Sequence, residues 1–239
     1  MWSNEHNVNY MTFGEPLEFR INPEYSHEDE LVQIVTDFRK AYATGDVDLK
    51  GYDKFLKTYG EYLIVDKPSF ATNMKFMFQY QFGYMYMRYL LWNFVGRQND
   101  EQGKYEDLKG NWITGIDVID EFFIGSQKNL PSDIANNKAR NIYFGIPFIL
   151  ALIGLVFHAK RDIKSFYVLL VLFLFTGLAL KIYLNERPFE PRERDYALVG
   201  SFYVFAMWIA FGIYAIFDWI KQYLAPKVAI PVVLVVCLL

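Results

Sequence analysis

"SFYVLLVLFLFTGLAL", residues 165–180, holds sixteen consecutive positions without a formal charge, and Ile182 to Leu184 carry the run past Lys181. About twenty such residues cross the hydrocarbon core of a bilayer at roughly 1.5 Å of rise each. Lys181 lies near enough to the end of the run to extend its ammonium towards the headgroups. A membrane span is therefore predicted over about 165–184, and the rest of the chain is read outward from it.

On the N-terminal side, "NIYFGIPFILALIGLVFHA", residues 141–159, gives nineteen uncharged positions and predicts another span. On the C-terminal side, residues 197–217 are uncharged, with Tyr203, Trp208, Tyr214 and Trp219 as aromatic anchors, and predict a span over about 197–218. "APKVAIPVVLVVCLL" begins a further apolar segment, read as a truncated span over about 228–239. The chain is expected to be mainly α, a polytopic helical membrane protein with a helical and irregular extramembrane segment over 1–140.

Charge divides the chain at the same place. Residues 1–140 hold 15 Lys and Arg against 21 Asp and Glu, whereas residues 141–239 hold 9 against 6. Lys160, Arg161 and Lys164 join the first two spans, and Lys221 and Lys227 follow the third. The positive-inside rule places these two connections in the cytoplasm and puts residues 1–140 and 185–196 on the outer face of an inner, plasma-type membrane. "MWSNEHNVNYMTFGEP" lacks a basic n-region followed by an apolar h-region, so an internal piece of a longer protein is expected.

Within residues 1–140, "SHEDELVQIVTDFRKAYATG" predicts an amphipathic helix over about 27–43, with Ser26 as N-cap, Leu31, Ile34, Val35, Phe38 and Tyr42 on one face, and Gly45 as stop. A second short helix is expected over Tyr52 to Tyr59. The aromatic run near 69–96, containing Gln79, Gln81 and Arg88, suits an interfacial helix, with a buried core helix as the other reading. Residues 98–140 carry turn signals and are expected to be irregular and surface-lying.

Several chemistries are excluded. The lone Cys237 permits neither an intrachain disulfide nor a zinc cluster, and the basic residues form no stripe that would suit nucleic acid. No P-loop, dinucleotide fingerprint or GxSxG elbow is present, no cofactor is indicated and no metal ligand set is assigned. His158 reads as an interfacial side chain.

The one crowded charge cluster is "NERPFEPRERDY", residues 185–196. Pro191 can open the third helix, which would place the cluster at a helix N-terminus, where free amides and the dipole favour anions. Arg187, Arg192 and Arg194 are the phosphate-binding candidates there, and Tyr196 could stack on or hydrogen-bond to a sugar. Glu190, Glu193 and Asp195 could serve as a general base or a divalent-metal ligand, with Glu193 and Asp195 the candidate catalytic residues. Mutual neutralisation is the competing reading, since Arg192 with Asp195 and Glu190 with Arg194 stand at helical neighbour spacing.

"MWSNEHNVNYM", "FQYQFGYMYMRYLLWNFVGRQND", "NLPSDIANNKARNIYF" and "ALKIYLNERPFEPRERDYALVGSFYVFAMWIAFG" together resemble a bacterial family of large polytopic membrane proteins of unknown function, related to the eukaryotic transmembrane protein O-mannosyltransferase. The resemblance implies a multispan glycosyltransferase that takes a sugar from a polyprenyl-phosphate donor on the outer face and passes it to a protein acceptor. It also implies a catalytic acid in an external loop upstream of this chain, so the chain by itself is expected to be inactive. A glycolipid or anion transporter and a noncatalytic envelope scaffold are the competing functions.

Overall fold

The computed structural model describes residues 10–12, 16–103, 106–128, 130–185, 195–223, 228, 230 and 231. The chain is mainly helical and divides into two compact units, residues 1–81 and 82–239. This packing boundary lies well before the compositional one at 140/141.

In the first unit, strand β1 (Phe19–Ile21) pairs antiparallel with β2 (Leu63–Val65), and between them run helices α1 (Asp29–Thr44) and α2 (Leu49–Thr58). Leu31 and Val35 of α1 are buried and Phe38 and Tyr42 are half-buried, which is the face the periodicity predicts. Phe38 stacks on Phe55 at 3.7 Å and meets the Tyr52 ring at 5.3 Å, so a small aromatic core replaces a large aliphatic one. Tyr52 Oη donates to the Leu17 carbonyl at 2.7 Å, tying the core to the segment ahead of β1. The cap of α1 differs from expectation. Glu28 occupies the N-cap without a side-chain bond, because Ser26 lies in the preceding turn and donates its hydroxyl to the Pro23 carbonyl. Gly45, at φ 84°, closes the helix.

A helical run then passes from α3 (Phe70–Phe76) through a π-helical stretch, Met77–Met87, to α4 (Arg88–Phe94). Within the second unit its apolar residues are covered by protein: Tyr86, Tyr89, Leu90 and Trp92 are buried in the core. Tyr86 donates or accepts a 2.8 Å hydrogen bond with Ser201, and burial pushes its phenol up to about 12.

The segment after α4 has little regular structure beyond β3 (Gly96–Arg97), α5 (Asp117–Ile124), α6 (Ser132–Ala135) and β4 (Asn141–Ile142), with β3 and β4 paired antiparallel. It does not simply lie on the surface. Gln98 and Asn99 are fully buried, and their amides bond the backbone of Asp107, Leu108, Gly110 and Asn111, standing in for a ladder. Asp120 serves likewise, accepting from the Thr114 and Gly115 amides.

Three helical rods complete the unit: α7 (Ile146–Arg161); α8 (Ile163–Leu174), running through a π-turn at Phe175–Ala179 into α9 (Leu180–Leu184); and α10 (Asp195–Ile220). Contacts Phe148–Phe205 and Phe157–Tyr214 rise together in number, so α7 and α10 run parallel, with α8 antiparallel beside them. Gly154 and Gly212 set the closeness of that crossing. A Cβ on Gly154 would collide with the Trp208 carbonyl oxygen, and one on Gly212 with the Leu150 carbonyl.

Two of these rods, Ile163–Leu184 and Tyr196–Ile220, are long and apolar enough to cross a membrane. The predicted span at 141–159 is displaced. Asn141 and Ile142 belong to the β3–β4 pair, and Phe144 (φ 52°) and Gly145 (φ 66°) break the chain before the helix begins at Ile146. Its 16 residues reach about 24 Å, short of the ~30 Å hydrocarbon thickness. Lys181 is also placed differently: at 3% exposure it is enclosed by the protein instead of extended outward.

Candidate functional site

The parallel course of α7 and α10 gives the second unit two distinct ends. One end gathers β3, β4, the start of α7, and Asn185 and Asp195, which flank the charged connection. Arg187, Glu190, Arg192, Glu193 and Arg194 lie outside the described residues. Asp195 opens α10, and Tyr196 follows in its first turn with 74% of its surface exposed.

Two cations described at this end, Arg97 and Arg140, are not among the sequence candidates. Pairing of Arg97 with Asn141 brings Arg97 near Arg140, the residue that precedes β4. Arg97 lies over the Trp92 ring at 4.1 Å and donates to Asn93 Oδ1 at 3.2 Å. Arg140 donates to Gln127 Oε1 at 3.4 Å, and burial lowers its tendency to hold a proton, opposed by the Asp120 carboxylate. Arg97 Nε and Arg140 Nη1 are shielded from solvent without a hydrogen-bond partner. Unsatisfied guanidinium donors are costly, and an oxyanion is the group that satisfies them best.

The other end carries Lys160, Arg161, Lys164 and Lys221 around the joint between α7 and α8. Asp162 alone makes that joint. Its amide caps α7 through the His158 carbonyl at 2.9 Å, and its carboxylate caps α8 by accepting from the amides of Lys164 and Ser165. Ser165 Oγ donates to Asp162 Oδ2 at 2.7 Å, and this bond is the main reason the carboxyl titrates below its ordinary range. With its proton committed to Asp162, Ser165 Oγ accepts from His158 Nε2 at 2.8 Å. In the neutral ring Nδ1 is then a bare acceptor, buried without a partner.

Histidine, serine and aspartate together invite comparison with a hydrolytic triad, but the order is wrong. In a triad the carboxylate orients the imidazole and the imidazole takes the serine proton; here the carboxylate holds the serine proton itself. The serine is therefore left without a general base. The cluster forms the polar end of a groove of about 500 Å³ whose remaining wall is Phe157, Ala210, Phe211 and Tyr214. "D-I-K-S" following "HAKR" is the capping signal by which sequence alone might have located it.

The first unit has its own cleft of about 310 Å³, where Glu18, Arg39 and Asp66 meet Phe38, Tyr42 and Tyr52. Arg39 is fixed there by the Phe19 carbonyl at 2.7 Å. Among the described residues no three His, Cys, Asp or Glu side chains converge as a metal site. Comparison with family models, curated proteins and solved structures finds no match for the chain.

Proposed function

We propose that the chain belongs to an integral membrane glycosyltransferase that receives a sugar from a polyprenyl-phosphate donor and passes it to a protein acceptor at the end of the helices bearing residues 185–196. The observation carrying this reading is the pair of partly satisfied guanidinium groups at that same end, Arg97 and Arg140, each with one shielded N–H nitrogen left without a partner. Such donors suit a phosphate held at headgroup depth; in this reading Arg187, Arg192 and Arg194 would also bind the phosphate, Tyr196 would contact the sugar and Glu193 or Asp195 would transfer the proton.

Membrane embedding is supported by how little of the apolar rods is covered. Only 11% and 28% of their most apolar windows are buried by the rest of the protein. Val168, Phe175, Val199 and Tyr203 are each more than half exposed. Side chains of this kind gain about 1.5–3 kcal/mol each on leaving water, which a bilayer supplies.

The test is hexose transfer from a polyprenyl-phosphate donor by the full-length protein in membranes. Arg97→Ala and Arg140→Ala, each compared with its Lys variant, are expected to weaken donor binding by about tenfold, as loss of one charge-assisted contact does. Unchanged donor binding in both, and in an Arg187/Arg192/Arg194 triple alanine variant, would remove the phosphate site.

A further inference from the structure

We propose that the groove between α7, α8 and α10 holds one acidic phospholipid, with its phosphate on Arg161 and an acyl chain along Phe157, Phe211 and Tyr214. This inference rests on the membrane reading above but not on sugar transfer. It concerns the opposite end of the helices.

The groove is built for an amphiphile. Its wall is aromatic and aliphatic, and α7 and α10 carry further exposed apolar side chains, Val156 and Met207 among them. A free inorganic anion would gain nothing from that wall. At its polar end, Arg161 is exposed and lies over Phe157 at 5.7 Å.

The charge balance selects the headgroup. Between His158 and Ser165 stand Lys160, Arg161 and Lys164 against the single carboxylate of Asp162. That carboxylate accepts from the Ser165 hydroxyl and from two backbone amides, and Asp218 attracts Arg161, yet Lys160, Arg161, Lys164 and Lys221 still outnumber Asp162 and Asp218 around the groove. On the facing helix, Asp218 and Lys221 pair with each other at 2.5 Å and contribute no net charge. A zwitterionic headgroup would bring its own cation against this excess of positive charge, whereas an acidic one would not. The buried His158 Nδ1 at the same end lacks a hydrogen-bond partner, and a headgroup hydroxyl, which can donate or accept, would supply one in either tautomer, which favours phosphatidylglycerol among acidic lipids.

Native mass spectrometry of the full chain, released from bilayers containing equal amounts of phosphatidylglycerol and phosphatidylcholine, tests the proposal. One phosphatidylglycerol per chain is expected to be retained in preference to phosphatidylcholine. Arg161→Ala should reduce retention about tenfold, the loss expected of one charge-assisted contact. Ala210→Trp, an exposed position that narrows the groove without touching a charge, should reduce it as well. Equal retention of the two lipids, retention unchanged in both variants, or displacement by excess inorganic phosphate would each overturn the site. Tryptophan quenching by brominated lipid separates the two readings. Quenching without lipid preference defeats the groove site alone, and absence of quenching defeats the membrane reading together with it.

Discussion

In the first unit Phe19, Tyr52 and Leu56 are buried beneath helices whose outer positions are lysine, aspartate and glutamate, whereas in the second α8 and α10 leave Val168, Phe175, Val199 and Tyr203 uncovered. Both units bury an apolar core, but their outer faces carry opposite residue classes. Water explains the first arrangement, since the apolar side chains retreat from it. The second buries Tyr86, Tyr89 and Trp208 yet leaves its outer faces apolar, and its rods are held by close backbone approach at Gly154 and Gly212 and by aromatic contacts at Tyr86, Phe173 and Trp208. Units assembled on such different terms should respond differently to the same kind of substitution.

The largest difference is expected at the glycine crossing. Gly154→Leu forces α7 away from α10 and should destabilise the second unit by about 3 kcal/mol or more, the upper range for overpacking. Thermal unfolding in lipid, followed beside limited proteolysis of residues 16–81, would show the second unit lost and the first retained. Joint loss of both would break the contrast. Next is the outer face of α8. Val171→Asp should cost about 3 kcal/mol of insertion, read as the inserted fraction in a translocation assay. Val32→Asp, on the exposed face of α1, should alter stability by no more than about 0.5 kcal/mol.

A smaller effect is expected at Tyr52, whose hydroxyl bond to the Leu17 carbonyl is worth about 1 kcal/mol, so Tyr52→Phe should lower the first unit's midpoint in denaturant accordingly. Burial pushes this phenol up to about 12, from an ordinary value of 10.0. Its contribution is therefore fully present below pH 10 and is lost as pH rises towards 12; the Phe variant should lack that alkaline component. The smallest change belongs to the exposed pair Lys40–Asp37, separated by 4.0 Å. Lys40→Ala should shift stability by less than about 0.5 kcal/mol.

What could be read from residues alone follows from range of interaction. The faces of α1 and the apolar rods are local patterns of period and length, and they place Leu31, Val35 and the 165–184 run correctly. The start of α7 was misread because a count of uncharged residues does not register that Asn141 and Ile142 pair with Gly96 and Arg97, more than forty positions away. Arg97 and Arg140 were passed over for the same reason, because their nearness comes from strand pairing and no local motif announces it. At the groove, capping chemistry at Asp162 and Ser165 was local and legible, but the contact with Phe211 required knowing that α7 and α10 run parallel. The charged positions 186–194, conspicuous in sequence, fall outside the described residues.

The single-residue joint at Asp162 has a mechanical meaning. With α7 ending at Arg161 and the next rod beginning at Ile163, there is no slack for one helix to slide or rotate without dragging the other. If the longer rod crosses a bilayer as proposed, the two would enter as one folded hairpin, and the longer partner would carry down a helix that by its own length would not reach across. Inserting a few glycines and serines after Asp162 would uncouple them and strand α7 at the surface.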